Sequence, residues 1–378
     1  MRYRDAHTHL SAGACDLADL DARGMRATGE LAKAIARAAR ERPSGRWMRA
    51  WGWAGDAPFP GIAPDHPLWL VRADGHAAWV NANAAAALDL PAAAWIEEDA
   101  FDAARRRLPA PADAERDAAV LSRVAELQRL GFGAVDDMVE AWGPELWGRL
   151  SAGLPIEVRM WVPAASSPAD VDRWRREHPP GARVTLAGVK VFLDGTLGAR
   201  TAALNEAYAD APEASGTLRL SPGELRDGVM AWASRGVPVA IHAIGDRAVG
   251  VALDALEEAP RPAWGMHRIE HAQVVAPADV ARFARARIAA SLQPGHFQDD
   301  RPFLRARLGA REVLVHPLGS FVAAGATVLF GSDWPVSSWD PEMILSAACD
   351  PARRAEALDR DRAVSLLSAH GGREIVVE

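Results

Sequence analysis

Val189-Lys190-Val191-Phe192-Leu193-Asp194-Gly195-Thr196 reads as an apolar strand that carries one amine and runs straight into a turn. Only two lysines occur in the 378 residues, against forty-one arginines. The other, Lys33, lies on an Arg-rich helical stretch and reads as solvated surface. Arg stays charged, whereas a desolvated Lys can lose its proton and serve as nucleophile or base. Position 190 therefore calls for amine chemistry, with a snorkelling or ion-paired Lys as the plainer alternative.

Outward from this strand, short apolar runs alternate with Ala/Arg/Leu segments of helical period, the pattern of βα units on a parallel sheet. Strands are expected at 3–9, 134–138, 157–162, 188–193, 237–242, 267–271, 288–292 and 327–331. Helices are expected at 29–40, 113–130, 168–177, 222–235, 246–258, 277–287 and 355–368. Eight strands in this alternation predict an α/β fold, the closed (β/α)8 TIM barrel, as a single domain over 1–378.

About 125 residues separate the first two strands, too many for one helix, so the first βα loop carries an insertion. A lid-like segment is placed at 45–110, with strand-like pieces at 46–53 and 68–72. It holds six of the fourteen tryptophans, Trp47, Trp51, Trp53, Trp69, Trp79 and Trp95. These read first as a local aromatic core, with an apolar pocket wall as the alternative.

Composition excludes several classes. The chain is 49% hydrophobic and 25% charged, enough for a large core. A net charge of −7 gives no basic footprint for nucleic acid. Cys15 and Cys349 are the only cysteines, so no disulfide framework or Cys-type zinc site is indicated. No window reaches the length of a membrane span and the N-terminus has no apolar leader run, so a cytoplasmic protein is expected.

His7-Thr8-His9 closes the first strand, and residues two apart on a strand point to one face. His242 and His271 end the fifth and sixth expected strands, and Asp333 follows the eighth. With Lys190 these six groups fall near strand C-termini, which converge at one mouth of a barrel. Imidazole nitrogen and carboxylate oxygen are ordinary ligands of a catalytic divalent metal. His76, in the inserted segment, and His296, in Gln293-Pro294-Gly295-His296, are loop histidines with either a site role or none. Asp246 reads as a helix N-cap, and Glu270, beside a ligand, as a supporting group.

The segments DAHTHL (5–10), VKVFLDGTLGART (189–201), IHAIGDRAV (241–249), RIEHAQ (268–273), SLQPGHF (291–297) and FGSDWPV (330–336) resemble the amidohydrolase superfamily, in its YtcJ-like branch, amidohydrolase family 3. The resemblance implies a barrel holding one or two divalent metals, Zn2+ or a similar ion. It implies His7, His9 and Asp333 at one metal, His242 and His271 at the other, and Lys190 as a bridging carbamate made with CO2. It further implies hydrolysis of a C–N bond, in an amide, formamide or cyclic amide, with Asp333 as proton shuttle. His76 and His296 match the family's further active-site positions, where they would contact substrate or developing charge.

The alternatives are a mononuclear deaminase-like or ester-cleaving member, and a metal-binding barrel without turnover. A small-molecule substrate with an apolar or aromatic group is expected, since the inserted segment is Trp-rich and no Arg cluster points to a phosphate. A homodimer is allowed. Relatives in this family usually carry a small β-sandwich built from both chain ends. Here the first strand starts at Tyr3 and the chain stops at Glu378, so a barrel-only member is expected.

Overall fold

The computed structural model describes residues 2–17, 19–25, 27–55, 61–73 and 75–368. Eight parallel strands form one sheet in chain order: Tyr3–Thr8, Phe132–Met138, Glu157–Pro163, Val184–Phe192, Val239–Ala243, Arg268–His271, Ala289–Leu292 and Val328–Phe330. Each sits where its apolar run placed it. Strands covered on both faces need no polar alternation, which is why these segments read as continuous Val, Ile, Leu and Ala.

The sheet closes through the segment after its last strand. Thr8 bridges Trp334 in parallel, the Asp333 N–H donates to His7 O at 2.7 Å, and the His9 N–H donates to Trp334 O at 2.7 Å. Gly331 permits this approach, because a Cβ there would lie 2.6 Å from His7 Cβ. The result is the (β/α)8 barrel, with helices between its strands.

Helices Pro168–Glu177 and Asp246–Glu258 match the expected ranges, and Pro277–Ala286 and Pro222–Ala233 end slightly early. Expected helix 355–368 divides into a 3-10 turn, Pro351–Glu356, and helix Arg360–Leu367. Helices that the sequence did not lead us to expect include Gly143–Leu150, Pro294–Leu308 and Pro341–Ala348. The second opens on Pro-Gly and holds Pro302 inside it, so local propensity argued against it.

Where the sequence suggested one domain with an insertion at 45–110, the chain forms two compact units. The barrel draws on 1–10 and 124–378, and the second unit is the wider stretch Ser11–Arg123. That unit has its own sheet of strands Leu20–Asp21, Met48–Trp53, Leu68–Arg72, Ala77–Val80 and Ala94–Glu97, in that order. The first three run parallel and the last two antiparallel to their neighbours. Leu31 and Ile35 of helix Thr28–Arg40 pack on Met48, Trp53, Leu68, Leu70 and Trp79. Trp51, Trp53, Trp69 and Trp79 are buried, so the tryptophans serve mainly as core. Among the described residues no helix is long and apolar enough to cross a membrane.

Candidate metal centre

Six side chains from the barrel strands and their C-terminal loops meet in one cluster. His7 and His9 leave the first strand, His271 ends the sixth, and Asp333 follows the eighth. His7 Nε2 and His9 Nε2 each lie 3.3 Å from Asp333 Oδ1. One ligand atom from each of His7, His271 and Asp333 falls within 4.8 Å of the others. The His7 and His271 rings are 4.9 Å apart, and the His242 and His271 rings 4.6 Å. Pairing of the fourth, fifth and sixth strands sets Lys190 beside Ala240, and Ala243 beside His271. Lys190 Nζ lies 4.8 Å over the Phe192 ring, itself 5.2 Å from His242.

A layer of buried groups aims these ligands. Glu270 Oε2 accepts from His7 Nδ1 at 2.6 Å, leaving Nε2 turned toward Asp333. Arg268 pairs with Glu270 and donates from Nη1 to Asp136 Oδ2 at 2.9 Å. Asp136 also accepts from Arg4 and from Trp161 Nε1. Gln293 Oε1 lies 2.8 Å from His271 Nδ1. Asp194 accepts the N–H groups of Ala203, Ile244 and Gly245, tying the Gly-rich loop to the turn after His242. Asp5 Oδ1 accepts the His7 and Ser332 N–H groups.

Gln293, Asp194, Asp5 and Asp136 escaped the sequence reading as supporting groups. Each belongs to a quoted segment or sits on an expected strand, but only the closed barrel shows what it faces. Asp246 departs from its expected N-cap role. Gly245 holds the cap position, and Asp246 accepts from Asn205 N and Nδ2.

The electrostatics follow from burial. Desolvation pulls the Lys190 amine down to about 8, against the raising pull of Glu270 and Asp333. Burial also holds His271 well below the usual histidine range, so its imidazole is neutral and offers a lone pair. Burial pushes Asp333 upward, but the His7 and His9 partners overcome this and keep it ionised. Two ligand positions also sit in left-handed backbone, His271 at φ 72° and Asp333 at φ 60°. That conformation is unusual for residues with a Cβ and points to a geometry held by its surroundings.

His296, on the first turn of helix Pro294–Leu308, joins the cluster. Its Nε2 lies 3.4 Å from Asp333 Oδ2 and its ring stacks 5.8 Å from His271. His76 belongs to the other unit, on the turn before strand Ala77–Val80, where Nδ1 lies 3.2 Å from Glu98 Oε2.

This donor set fits a divalent cation. His7 Nε2, Asp333 Oδ1 and Lys190 Nζ are all buried; the first two face each other at 3.3 Å without hydrogen-bond geometry, and Lys190 Nζ has no hydrogen-bond partner. Burying three such polar atoms together is costly unless a bound group satisfies them. His7, His9, His242, His271, Asp333 and Lys190 are the residues that would hold it.

The amidohydrolase family model matches residues 4–370. The chain is 28% identical to the LONG AFTER FAR-RED 3 protein of Arabidopsis thaliana, matching 89% of this chain and 66% of that protein. It is 28% identical to the YtcJ protein of Bacillus subtilis, over 91% and 72% of the two chains. It is 26% identical to an N-substituted formamide deformylase of Arthrobacter pascens, over 96% and 75%. This chain thus spans about two thirds of the plant relative's length. An uncharacterized metal-dependent hydrolase of Pyrococcus horikoshii superposes with a TM-score of 0.81 at 27% identity, covering 97% of this chain and 79% of that one.

Proposed function

The chain belongs to the amidohydrolase family, and on that premise we propose that it is a metal-dependent hydrolase of a C–N bond in an amide, formamide or cyclic amide. One observation carries the reading: His7, His271 and Asp333 offer ligand atoms within 4.8 Å of one another, beside a buried, unpartnered Lys190 amine. A divalent metal such as Zn2+, one or two per chain, would supply Lewis acidity there and lower the pKa of water when bound.

The chain's own groups do the rest. His7 is fixed by Glu270 and His271 by Gln293, so each presents its remaining nitrogen. Asp333, ionised and held between His7, His9 and His296, accepts the proton of the attacking water and returns it to the leaving nitrogen. His296, beside Asp333 Oδ2, is placed to meet charge developing on the substrate carbonyl. Lys190, when neutral, can add through Nζ to CO2, forming an N–C bond and losing a proton. The resulting carbamate would bring two oxygens and a negative charge to the cluster. Phe192, 36% exposed beside Lys190, favours a substrate with an apolar or aromatic group. The formamide deformylase relative directs the search toward N-formyl compounds.

The test is elemental analysis of the purified chain, followed by amine release from N-formyl and N-acyl amines before and after chelation. One to two divalent ions per chain and chelator-sensitive amine release are expected. A folded protein that takes up no divalent ion on reconstitution sinks the proposal.

A further inference from the structure

Arg353, in the 3-10 turn Pro351–Glu356, is buried, and its guanidinium donates to backbone carbonyls alone. Nε donates to Ala347 O at 2.6 Å, Nη2 to Pro294 O at 2.7 Å and Nη1 to His316 O at 3.5 Å. Its Cζ stands 4.2 Å over the Phe297 ring. Among the described residues no carboxylate pairs with it. Asp350 and Glu356 favour its charge, but both are engaged elsewhere. Asp350 accepts the Ala352 N–H and faces Arg301, and Glu356 accepts from the Ser320 N–H and hydroxyl. Burial pulls the guanidinium down to about 10, so it stays a cation at neutral pH. A buried cation held only by carbonyls is costly to keep, which asks what it is kept for.

The three carbonyls belong to three segments. Ala347 O lies in the last turn of helix Pro341–Ala348, where a cation suits the negative end of the helix. His316 O belongs to the turn ahead of helix Leu318–Ala323. Pro294 O opens helix Pro294–Leu308, and two groups of the metal centre flank it. Gln293, just before, points Oε1 at His271 Nδ1 at 2.8 Å. His296, two residues after, brings Nε2 within 3.4 Å of Asp333 Oδ2.

Local sequence does little to hold this stretch. Gly295 is a poor helix former, and Gln293 at the cap position makes no side-chain capping bond, its amide being turned to His271. The first turn must therefore be placed by tertiary contacts. The Arg353 guanidinium grips it at Pro294 O and over the Phe297 ring, on either side of His296. We propose that Arg353 is a positioning residue of the metal centre, acting through segment 293–297 to aim Gln293 at His271 and to keep His296 beside Asp333. The inference rests on the metal-centre reading above.

Divalent-metal affinity of the full chain tests it, read by competition with a chromophoric chelator, with the Co2+ absorption spectrum as a probe of ligand geometry. Arg353→Met keeps an apolar contact for Phe297 but removes the fork. Affinity should fall about tenfold and the Co2+ spectrum should change, the scale for disturbing a ligand's orienting partner. Gln293→Ala should weaken binding by a similar or larger factor. Adding Arg353→Met to it should then cost under about twofold more, because both act along one path. Arg353→Lys serves if the Met variant misfolds; it keeps the charge but cannot span three carbonyls, and should also weaken binding. A folded variant with a lower Tm but parental affinity and spectrum overturns the proposal, since Arg353 would then be a clamp of the fold only. Fully additive losses in the double variant overturn it too. A parent chain that takes up no divalent ion sinks the metal reading, and this inference with it.

Discussion

Glu270 Oε2 stands 2.6 Å from His7 Nδ1, and both side chains are fully buried. The contact fixes which His7 nitrogen faces the cluster. It also continues inward, because Arg268 joins Glu270 to Asp136. A line of buried charge thus runs from the barrel interior to the ligand set, and it can be tested at each end.

At the outer end, burial raises the Glu270 carboxyl but Arg268 and His7 overcome it, holding the group near 2. It is therefore an anion at working pH and strengthens His7 as a ligand. Glu270→Gln keeps the shape and removes the charge. Metal affinity, read by competition with a chromophoric chelator, should fall roughly 10- to 100-fold, the usual effect of losing such a partner. Unchanged affinity in a folded variant would rule out this role.

At the inner end, Asp136 faces Arg4, Arg159 and Arg268. Burial opposes its ionisation, but the three guanidinium groups hold it well below the usual carboxylate range. A depressed folded pKa contributes stability that is present above the unfolded value of roughly 4 and lost as pH falls through the lower folded value. Asp136→Asn should cost about 3 to 5 kcal/mol at neutral pH, because buried arginines lose their counter-charge. Denaturant melts should show the gap from the parent chain shrinking below about pH 4. A gap that stays constant into acid contradicts the assignment.

Lys190 distinguishes amine chemistry from simple charge. Lys190→Arg keeps a cation but cannot form a carbamate, so metal content and turnover should both drop. If Lys190 acts as the proposed carbamate, Lys190→Ala should regain part of its activity when short carboxylic acids are added, since their oxygens can take that group's place. Full activity in Lys190→Arg would show that charge alone suffices.

Asp333→Asn preserves size and some hydrogen bonding but cannot accept a proton near neutral pH. A loss in kcat of at least roughly 10²-fold is expected, as for removal of a general base. Part of the metal may also be lost, because the carboxylate faces His7 and His9. Near-normal kcat would move the base to another group, with His296 at 3.4 Å the next to test.

The barrel was legible because its strands are buried on both faces and announce themselves as apolar runs. Lys190 stood out as a rare amine inside such a run, and His242, His271 and Asp333 because each ends or follows one. The helix Pro294–Leu308 was not legible, since Pro-Gly at its start and Pro302 within it argue locally against helix, and packing decides otherwise. The extent of the second unit was equally hidden, because its core depends on contacts between short strands and helix Thr28–Arg40.

What the sequence by itself determined is therefore the strand sequence and which histidines, lysine and aspartate fall near the strand ends, both written in local pattern. The tertiary structure alone decided the partners. Glu270 turns toward His7, 263 positions away, and Gln293 toward His271. Periodicity reports which face of an element is apolar, whereas the mate of a buried charge is set by long-range closure that no local window contains.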